Sequence, residues 1–212
     1  KFKTKCDWEA ELNSCSFIYI SHNHPDHLHP LTLSKVKKNI PVVVPNFTTN
    51  STGIYIDTLG FKKIHYLEFN KEYTFKNTNL ILSLLKSGDF REDSGIYFSI
   101  GDFSALFSVD ASMINFSRLP KVDLLAAAFA GGASGYPLIY DNLDNKEKKL
   151  IAERNKIFIY QKKKQMLIKT KASYFLPYAG FFKSTLKRDN EIETNNPKNK
   201  ITDYESLCKK LN

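Results

Sequence analysis

The chain has 212 residues and a formal net charge of +9 at pH 7, with 42% hydrophobic, 13% aromatic and 25% charged residues. This composition is typical of a folded globular chain, and it excludes a disordered chain, a low-complexity chain and a disulfide-built miniprotein. Apolar runs are shorter than the roughly 18 residues that a membrane-spanning helix needs, so no membrane span is predicted.

The three cysteines, Cys6, Cys15 and Cys208, are far apart and show no metal-ligand spacing. We therefore expect reduced thiols in a cytoplasmic protein rather than a disulfide framework or a zinc finger. The excess of Lys and Arg suits an anionic partner such as a nucleotide, but no aromatic residues alternate with the basic runs, which disfavours nucleic acid. Because the chain begins at Lys1 without a signal-like segment, we expect it to be part of a longer protein.

Strand-like and helix-like segments alternate along the chain, which predicts an α/β layered fold. Residues 16–20 are predicted as a buried strand that ends at Ser21, followed by a His-rich turn. The pattern then predicts a helix over 30–38, a strand over 41–44 and a helix over 50–60 that Gly60 closes. Further strands are predicted over 64–69, 78–85, 95–100 and 104–109, the last two joined by a tight turn at Gly101-Asp102.

The second half of the chain contains a strand, the longest helix and a polar C-terminal region. Residues 124–129 are predicted as a strand that leads into a glycine-rich loop. Asp144 with Glu147 forms a capping-box start for the longest helix, and one apolar face of that helix is predicted to hold Leu150, Ile151, Ile157 and Phe158. Residues 174–178 return to strand, and 187–200 are predicted as an exposed arm. We assign residues 1–186 to one domain and 187–212 to a polar arm or the start of a further segment.

Four of the five histidines lie in the string Ser-His-Asn-His-Pro-Asp-His-Leu-His over residues 21–29. The string directly follows a predicted strand, where a sharp turn can present several imidazoles and a carboxylate to one point. Neutral imidazoles and carboxylates are ligands of Zn²⁺, Fe²⁺ and Mn²⁺. The spacing predicts that His22 and His24 form half of one metal site and that Asp26 and His27 face a neighbouring position.

The structural alternative for this string is a solvated His-rich loop or a set of histidines that cap the next helix. Because one spacing pattern fits four positions at once, the metal site is favoured. His29 lies beyond the pattern and is expected at the surface or behind the ligands. His65 is expected at the edge of the core.

The histidine string resembles the signature of the metallo-β-lactamase superfamily, whose fold is a four-layer αββα sandwich with metal at the open edge of its two sheets. The resemblance implies this fold, incomplete at the N-terminus, and it implies further ligands from later strand ends. Asp110, at the end of the predicted strand 104–109, matches the bridging aspartate, whereas Asp89 stands where the superfamily usually has a histidine. The implied catalytic residues are Asp26 and Asp110. The implied metal ligands are His22, His24, Asp26, His27, Asp89 and Asp110.

Five further strings are similar to the CMP-N-acetylneuraminate hydroxylase family, and they follow in order over nearly the whole chain. They are Cys-Asp-Trp at 6–8, Arg-Leu-Pro at 118–120, Phe-Ala-Gly-Gly-Ala-Ser-Gly-Tyr-Pro at 129–137, Pro-Tyr-Ala-Gly-Phe-Phe at 177–182 and Glu-Thr-Asn-Asn at 193–196. The resemblance implies insertion of one oxygen atom of O₂ into the N-acetyl methyl group of a CMP-linked sialic acid. It implies iron, with zinc as the alternative, and a Rieske [2Fe–2S] cluster upstream of this chain as the electron source.

The glycine-rich loop is expected at the substrate, because its N–H groups can approach a phosphate or a sugar carboxylate closely. A turn needed only for packing is the alternative. The residues expected to bind substrate are Gly131, Gly132, Ser134, Gly135, Tyr136 and Tyr178. The expected partners are a nucleotide sugar and an electron donor protein. A metallo-β-lactamase-fold hydrolase of a lactone or phosphodiester, or a binding module that has lost its metal, remain open as other functions.

Overall fold

The computed structural model describes residues 5–75, 77–131, 135–181 and 186–211. The strands of this part form two sheets. A parallel three-stranded sheet has the order β1 (Ile18–Tyr19), β2 (Val42–Pro45) and β3 (Ile64–Leu67). A six-stranded sheet has the order β4 (Glu72–Thr74), β5 (Leu80–Lys86), β6 (Ser94–Ile100), β7 (Phe103–Phe107), β8 (Leu124–Ala128) and β9 (Tyr174–Ala179). The pairs β4–β5, β5–β6 and β6–β7 are antiparallel, and β7, β8 and β9 run parallel.

The helices of the described residues are α1 (Trp8–Ser14), α2 (Pro30–Leu33), α3 (Ser51–Thr58), α4 (Asn145–Thr170), α5 (Asn190–Asn195) and α6 (Ile201–Leu211). The predicted capping box begins α4: Glu147 N–H donates to Asp144 Oδ1 at 2.8 Å, and Asp144 N–H donates to Glu147 Oε2 at 2.9 Å. These bonds satisfy two backbone donors that the first helical turn leaves without partners. None of the described helices combines the length and the apolar character of a membrane span.

The alternation of side chains along β2 shows how the layers are built. Val42 and Val44 pack on the outer side of the small sheet with helix residues such as Ile56, whereas Val43 points to the other side. There Val43 meets Leu82 and Leu84 of the large sheet. Because successive side chains of a strand point to opposite faces, a single strand contributes to two separate cores.

The large sheet has a second apolar face that packs against the C-terminal helices. Leu106 and Leu125 join a buried cluster with Met166 of α4 and Tyr204 of α6. Truncation of a buried leucine such as Leu106 or Leu125 to Ala typically costs about 2–5 kcal/mol, so this layer is a major source of stability. Helix, sheet, sheet and helix therefore form four layers.

Most of the predicted elements are present with shifted ends. The predicted tight turn is confirmed, since Ile100 pairs with Phe103 and Gly101 has a positive φ of 56°. Gly60, with φ of 87°, follows α3 as expected. Helix α1 and the short strand β4 were not predicted, and α2 ends at Leu33 rather than near residue 38.

The predicted apolar face of α4 is not the face that packs on the sheet. Leu150, Ile157 and Phe158 are 50%, 58% and 61% exposed. The buried residues of α4 lie mainly in its C-terminal half, and they are Ala152, Lys163, Met166, Leu167 and Thr170. The periodicity predicted the position of the helix correctly. The residues that pack on the sheet, however, lie mainly in the C-terminal half of the helix.

The C-terminal region is folded onto the rest of the chain. An exposed arm over residues 187–200 is wrong for Asn196 and Asn199, which are buried, and α5 lies within this range. Helix α6 adds Tyr204 and Leu207 to the core of the large sheet. Tyr204 and Leu207 are three residues apart, which is helical spacing. Most of the residues around them are polar, so their burial was not predicted. The division of the chain at residue 186 stays a prediction.

Candidate metal centre

The histidine string forms a compact loop directly after β1. His22 is buried, whereas His24 is exposed. The loop turns back on itself because the N–H groups of His27 and Leu28 both donate to His24 O, at 3.0 and 2.8 Å. The buried Leu28 side chain anchors the loop in the core. As a result the ring centroids of His24 and His27 lie 4.5 and 4.2 Å from that of His22.

A first group of possible ligands joins two imidazoles to a buried carboxylate. His22 Nε2 lies 2.8 Å from His24 Nδ1 and 3.6 Å from Asp93 Oδ1. Asp93 immediately precedes β6, and the next residue, Ser94, ties the two sheets together because its Oγ donates to Ser21 O at 2.8 Å. The carboxylate is therefore fixed relative to the histidine loop.

A second group shares His22 and adds His27 and Asp110. His22 Nε2 and His27 Nε2 lie 3.7 and 3.4 Å from Asp110 Oδ2. In each group the ligand atoms all lie within 4.8 Å of one another. Because His22 Nε2 belongs to both groups, they describe one continuous centre at the edge of the two sheets.

The strand register explains why Asp93 faces this centre. Ile96 of β6 pairs with Phe107 of β7 in the antiparallel ladder. Because the two strands are antiparallel, the start of β6 and the end of β7 lie at the same edge of the sheet, and Asp93 and Asp110 lie just beyond these two strand ends. Both carboxylates thus reach the same edge of the large sheet, where the histidine loop of the small sheet ends.

The donor set fits a divalent metal ion. Ligand bonds of about 2.1 Å in a tetrahedron set the ligand atoms about 3.4 Å apart. The four separations given above run from 2.8 to 3.7 Å, and all ligand atoms of each group lie within 4.8 Å of one another. The buried Asp93 Oδ2 has no hydrogen-bond partner among the described residues, although Arg91 Nε lies 3.2 Å away. The Arg91 guanidinium offsets the charge at this oxygen, and the other oxygen, Asp93 Oδ1, is the one that lies near His22.

The pKa shifts suit the same role. Burial, followed by the charge of His27, lowers the pKa of His22 to about 4, so this imidazole is neutral at pH 7. Ser21 Oγ and His22 Nδ1 are hydrogen-bonded at 2.9 Å. With the proton on Nδ1, the lone pair of Nε2 is available to a cation.

The pKa values of the two carboxylates of the centre are shifted in opposite directions. Hydrogen bonding to Asp110 raises the pKa of His27, and hydrogen bonding to His27 lowers the pKa of Asp110. Burial raises the pKa of Asp93. Since metal ligands must be deprotonated, a bound cation would displace the proton that His27 shares with Asp110.

Two of the predicted ligands lie at the margin of the centre. The side chain of Asp26 is 80% exposed, and its Oδ2 lies 3.6 Å from His27 Nε2. Asp89 is paired with Arg91 at 2.7 Å and belongs to neither ligand group of the described residues. Asp93, which was not predicted from the sequence, lies 3.6 Å from His22 Nε2, and the role of Asp89 as a ligand stays a prediction. Asp93 could have been selected because it lies just before a predicted strand. The hydrogen bonds of a sheet fix the position of a residue next to a strand end.

His29 lies outside the centre, as expected. Its Nδ1 accepts a hydrogen bond from Thr32 N–H at 3.3 Å, and it thereby caps α2. Its side chain is exposed.

Lys163 is a second residue that the sequence analysis did not select. It belongs to α4 and is only 4% exposed. Burial lowers the pKa of Lys163 to about 8, although the negative charge of Asp110 opposes the shift. Its ammonium donates to Met166 Sδ at 3.7 Å. A buried cation thus lies on the helix side of the carboxylates.

An apolar cavity of about 530 Å³ borders the centre between the two sheets. His27, Phe107 and Tyr178 line it, together with Tyr19 and other apolar residues of both sheets. Burial and the negative charge of Asp110 raise the pKa of Tyr178 to about 12, so its hydroxyl stays protonated. Tyr178 therefore lies where the sequence analysis expected a substrate-binding residue, although its role stays a prediction.

The other predicted substrate residues lie in a different part of the molecule. Gly131 and Tyr136 line a separate cavity of about 220 Å³. Gly135 packs so closely that an added Cβ would lie 2.6 Å from Ile139 Cγ2, which gives it a packing role. Gly132 and Ser134 lie outside the described residues.

Solved structures with a similar fold include metallo-β-lactamase-fold proteins and hydroxylases. A mutant form of the β-hydroxylase CmlA gives a TM-score of 0.51 at 20% identity, covering 74% of this chain and 35% of CmlA. CmlA from Streptomyces venezuelae, described as a diiron β-hydroxylase, gives 0.48 at 18% identity, with 75% and 35% covered. The metallo-β-lactamase-fold protein YhfI from Bacillus subtilis gives 0.48 at 15% identity, with 87% and 73% covered. The chain has the predicted metallo-β-lactamase-like fold.

Sequence relatives are more specific. The cytidine monophosphate-N-acetylneuraminic acid hydroxylases of Pongo pygmaeus and Xenopus laevis are 31% identical over 219 and 215 residues, covering 96% of this chain and 36% of each relative. A Homo sapiens relative, described as inactive, is 30% identical, with 96% and 42% covered. No family model matches the chain. The resemblance to the CMP-N-acetylneuraminate hydroxylase family is confirmed, and the chain spans little more than a third of the length of the first two relatives.

Proposed function

We propose that this chain is the metal-bearing part of a hydroxylase that uses O₂ to hydroxylate the N-acetyl group of a CMP-linked sialic acid. The observation that carries the proposal is the convergence of His22, His24, His27, Asp93 and Asp110 in a chain that is 31% identical to such hydroxylases. The chain is also 30% identical to the human relative that is described as inactive. Sequence identity alone is therefore not evidence of activity, and the proposal depends on the site residues.

Iron is the proposed metal, with zinc as the alternative, because the description of CmlA as a diiron enzyme adds to a donor set that fits both ions. Iron would supply the activation of O₂. In the overall reaction a C–H bond of the N-acetyl methyl group becomes C–OH, and the second oxygen atom leaves as water. This balance requires two electrons and two protons. A Rieske [2Fe–2S] cluster outside these 212 residues is the proposed electron source.

The residues of this chain would hold the metal, position the reacting methyl group and transfer protons. His22, His24, His27 and the two carboxylates would hold the metal. The apolar cavity beside His27 would receive the reacting methyl group and exclude water from it. Asp26, exposed and 3.6 Å from His27, would exchange protons between the centre and solvent. Asp110 would orient His27 as well as bind the ion.

The proposed location is cytoplasmic, where nucleotide sugars and reducing conditions are both expected. Cys15 and Cys208 are free thiols. Free thiols are typical of a reducing compartment.

The test combines metal analysis with an assay on CMP-N-acetylneuraminate, O₂ and a reductant. We expect bound iron and a hydroxylated product whose formation needs both O₂ and the reductant. The variant His22→Ala should lose both metal and product. His29→Asn is the matched control, because it changes a histidine of the same loop while Asn can still cap α2.

Two results would contradict the proposal. Tight zinc, together with hydrolysis of a lactone or phosphodiester without O₂, would indicate a hydrolase. A centre that stays empty in a metal-replete preparation would indicate a binding module.

A further inference from the structure

Arg91 lies beside the metal centre, although the proposed reaction gives it no role. It belongs to the loop of residues 87–93 that joins β5 to β6. Its Nε lies 3.2 Å from Asp93 Oδ2, and its Nη2 lies 2.7 Å from Asp89 Oδ2. The guanidinium is therefore placed between a carboxylate of the centre and the carboxylate of Asp89.

Backbone hydrogen bonds hold the loop that carries Arg91. Ser87 N–H donates to Asp93 O at 2.9 Å, and Gly88 N–H donates to Met113 O at 3.0 Å. A Cβ added to Gly88 would itself lie 3.0 Å from Met113 O, so the loop packs closely against the segment that follows Asp110. The loop is thus fixed relative to both carboxylates of the centre.

Asp89 takes up the hydrogen-bond donors on one side of Arg91. Arg91 N–H donates to Asp89 Oδ1 at 3.3 Å, and Nε and Nη2 donate to Asp89 Oδ2 at 3.0 and 2.7 Å. Because the single N–H of Nε is directed at Asp89, the contact with Asp93 Oδ2 is an ion pair without a hydrogen bond. Arg91 therefore acts on Asp93 mainly through its charge.

The two oxygens of Asp93 face different groups. Oδ1 lies 3.6 Å from His22 Nε2, whereas Oδ2 faces Arg91. The Asp93 side chain is only 2% exposed, so water hardly competes for either oxygen. An oxygen that already faces a cation is a poorer ligand for a second cation. Arg91 therefore favours binding of an ion through Oδ1 alone.

The charge of Arg91 also bears on the charge of the ion. Arginine stays protonated in proteins. Asp93 and Asp110 bring two negative charges to the centre, and Arg91 brings one positive charge next to Asp93. Repulsion between a fixed cation and a metal ion grows with the charge of the ion, so it opposes Fe³⁺ more than Fe²⁺. Groups that contact a ligand commonly tune the metal in this way.

We propose that Arg91 is a positioning residue of the metal centre, which directs one oxygen of Asp93 to the ion and favours iron in its divalent state. This inference rests on the proposed function, because it takes iron as the metal. It adds a residue that holds no metal itself and acts through Asp93.

The test is a spectroelectrochemical titration of the iron-loaded chain without substrate. We expect Arg91→Gln to raise the affinity for Fe³⁺ relative to Fe²⁺ about 10-fold, because the variant loses the positive charge and releases Asp93 Oδ2. A 10-fold change lowers a one-electron reduction potential by about 59 mV. Arg91→Lys keeps the charge and should retain most of the wild-type potential. The Arg91 side chain is 40% exposed, so we expect both variants to fold.

Lys86→Gln is the matched control. Lys86 is the exposed last residue of β5, and its ammonium lies over the ring of Phe47, 6.0 Å from the ring centroid. The variant removes the same charge from the strand that leads into the loop. Its reduction potential should equal that of the wild type.

Four outcomes decide the inference and separate it from the proposed function. Equal potentials in the wild type and Arg91→Gln would overturn the inference, even if CMP-N-acetylneuraminate is hydroxylated. An equal fall in Lys86→Gln would overturn it as well, because net charge alone would then explain the shift. A fall confined to Arg91→Gln in a chain that hydroxylates nothing would support the inference and contradict the proposed function. A chain that takes up no iron would overturn both.

Discussion

The two sides of the metal centre are built in different ways. The imidazoles come from one short loop, which is closed by hydrogen bonds to His24 O and is partly exposed. The carboxylates Asp93 and Asp110 lie just beyond the ends of β6 and β7, and the antiparallel pairing of these strands brings the two ends to one edge of the large sheet. The imidazole side is therefore a local structure, whereas the carboxylate side depends on the whole sheet. Changes on the two sides should have different consequences.

The largest effect is expected on the imidazole side, from His22→Ala. His22 belongs to both ligand groups, so its loss leaves neither complete. Structural zinc sites contribute about 10–16 kcal/mol over four ligands, so one ligand is worth roughly 3 kcal/mol and metal affinity should fall about 100-fold or more. Competition with a metallochromic chelator measures this change. Affinity within a few-fold of the wild type would remove His22 from the centre.

On the carboxylate side, Lys163→Met should change stability and its pH dependence. Burial lowers the pKa of Lys163 from 10.5 to about 8. Between these two values the unfolded chain binds a proton that the folded chain does not, so the free energy of unfolding should rise as the pH increases through this window. Below it, the buried charge destabilises the fold by up to about 3 kcal/mol. At pH 7 the Lys163→Met variant should have a higher free energy of unfolding than the wild type. Its free energy of unfolding should not show the rise with pH that is expected of the wild type.

Denaturant unfolding at several pH values measures this prediction. Lys149→Met, at an exposed position of the same helix, is the control and should keep the rise. A rise that persists in Lys163→Met would assign the titration to another group.

Asp93→Asn and Asp89→Asn form a matched pair that tests which carboxylate serves the centre. Asp93→Asn keeps the shape and removes the charge, and we expect metal affinity to fall about 10-fold to 100-fold. Asp89→Asn removes only a partly exposed ion pair with Arg91, which is worth about 1 kcal/mol or less, so metal affinity should change little. The same chelator competition compares the two. The reverse order would restore Asp89 as the ligand.

The smallest effect is expected from Ser21→Ala, which changes the support of the imidazole side. The variant removes the hydroxyl that is hydrogen-bonded to His22 Nδ1 at 2.9 Å. Loss of such a partner typically weakens metal binding about 10-fold. The Ser94 bond to Ser21 O is made by the backbone and should remain. An unchanged metal affinity would show that the loop alone orients His22.

The same contrast explains what the sequence could predict. The proximity of His22, His24 and His27 was predictable because one loop carries them and their spacing is fixed locally. Asp110 was predictable because it ends a clear strand. The approach of Asp93 to His22 depends on the pairing of β6 with β7, which no local pattern contains, so Asp93 was not predicted.

The layers show a similar limit. Alternation along the strands and the capping box of α4 were sufficient to predict the α/β architecture. Which face of α4 meets the sheet was not, because Leu150, Ile157 and Phe158 satisfy helical periodicity while remaining exposed. Tyr204 and Leu207 lie in a polar stretch, and their burial depends on contacts with strands far away in sequence.

The central claim is that imidazoles of the loop and carboxylates of the large sheet bind one metal centre. The most direct measurement is a crystal structure of the iron-loaded chain with anomalous scattering recorded at the iron edge. We expect anomalous density within about 2.0–2.3 Å of ligand atoms of His22, Asp93 and Asp110. Density bound by the imidazoles alone, or located elsewhere in the molecule, would contradict the account.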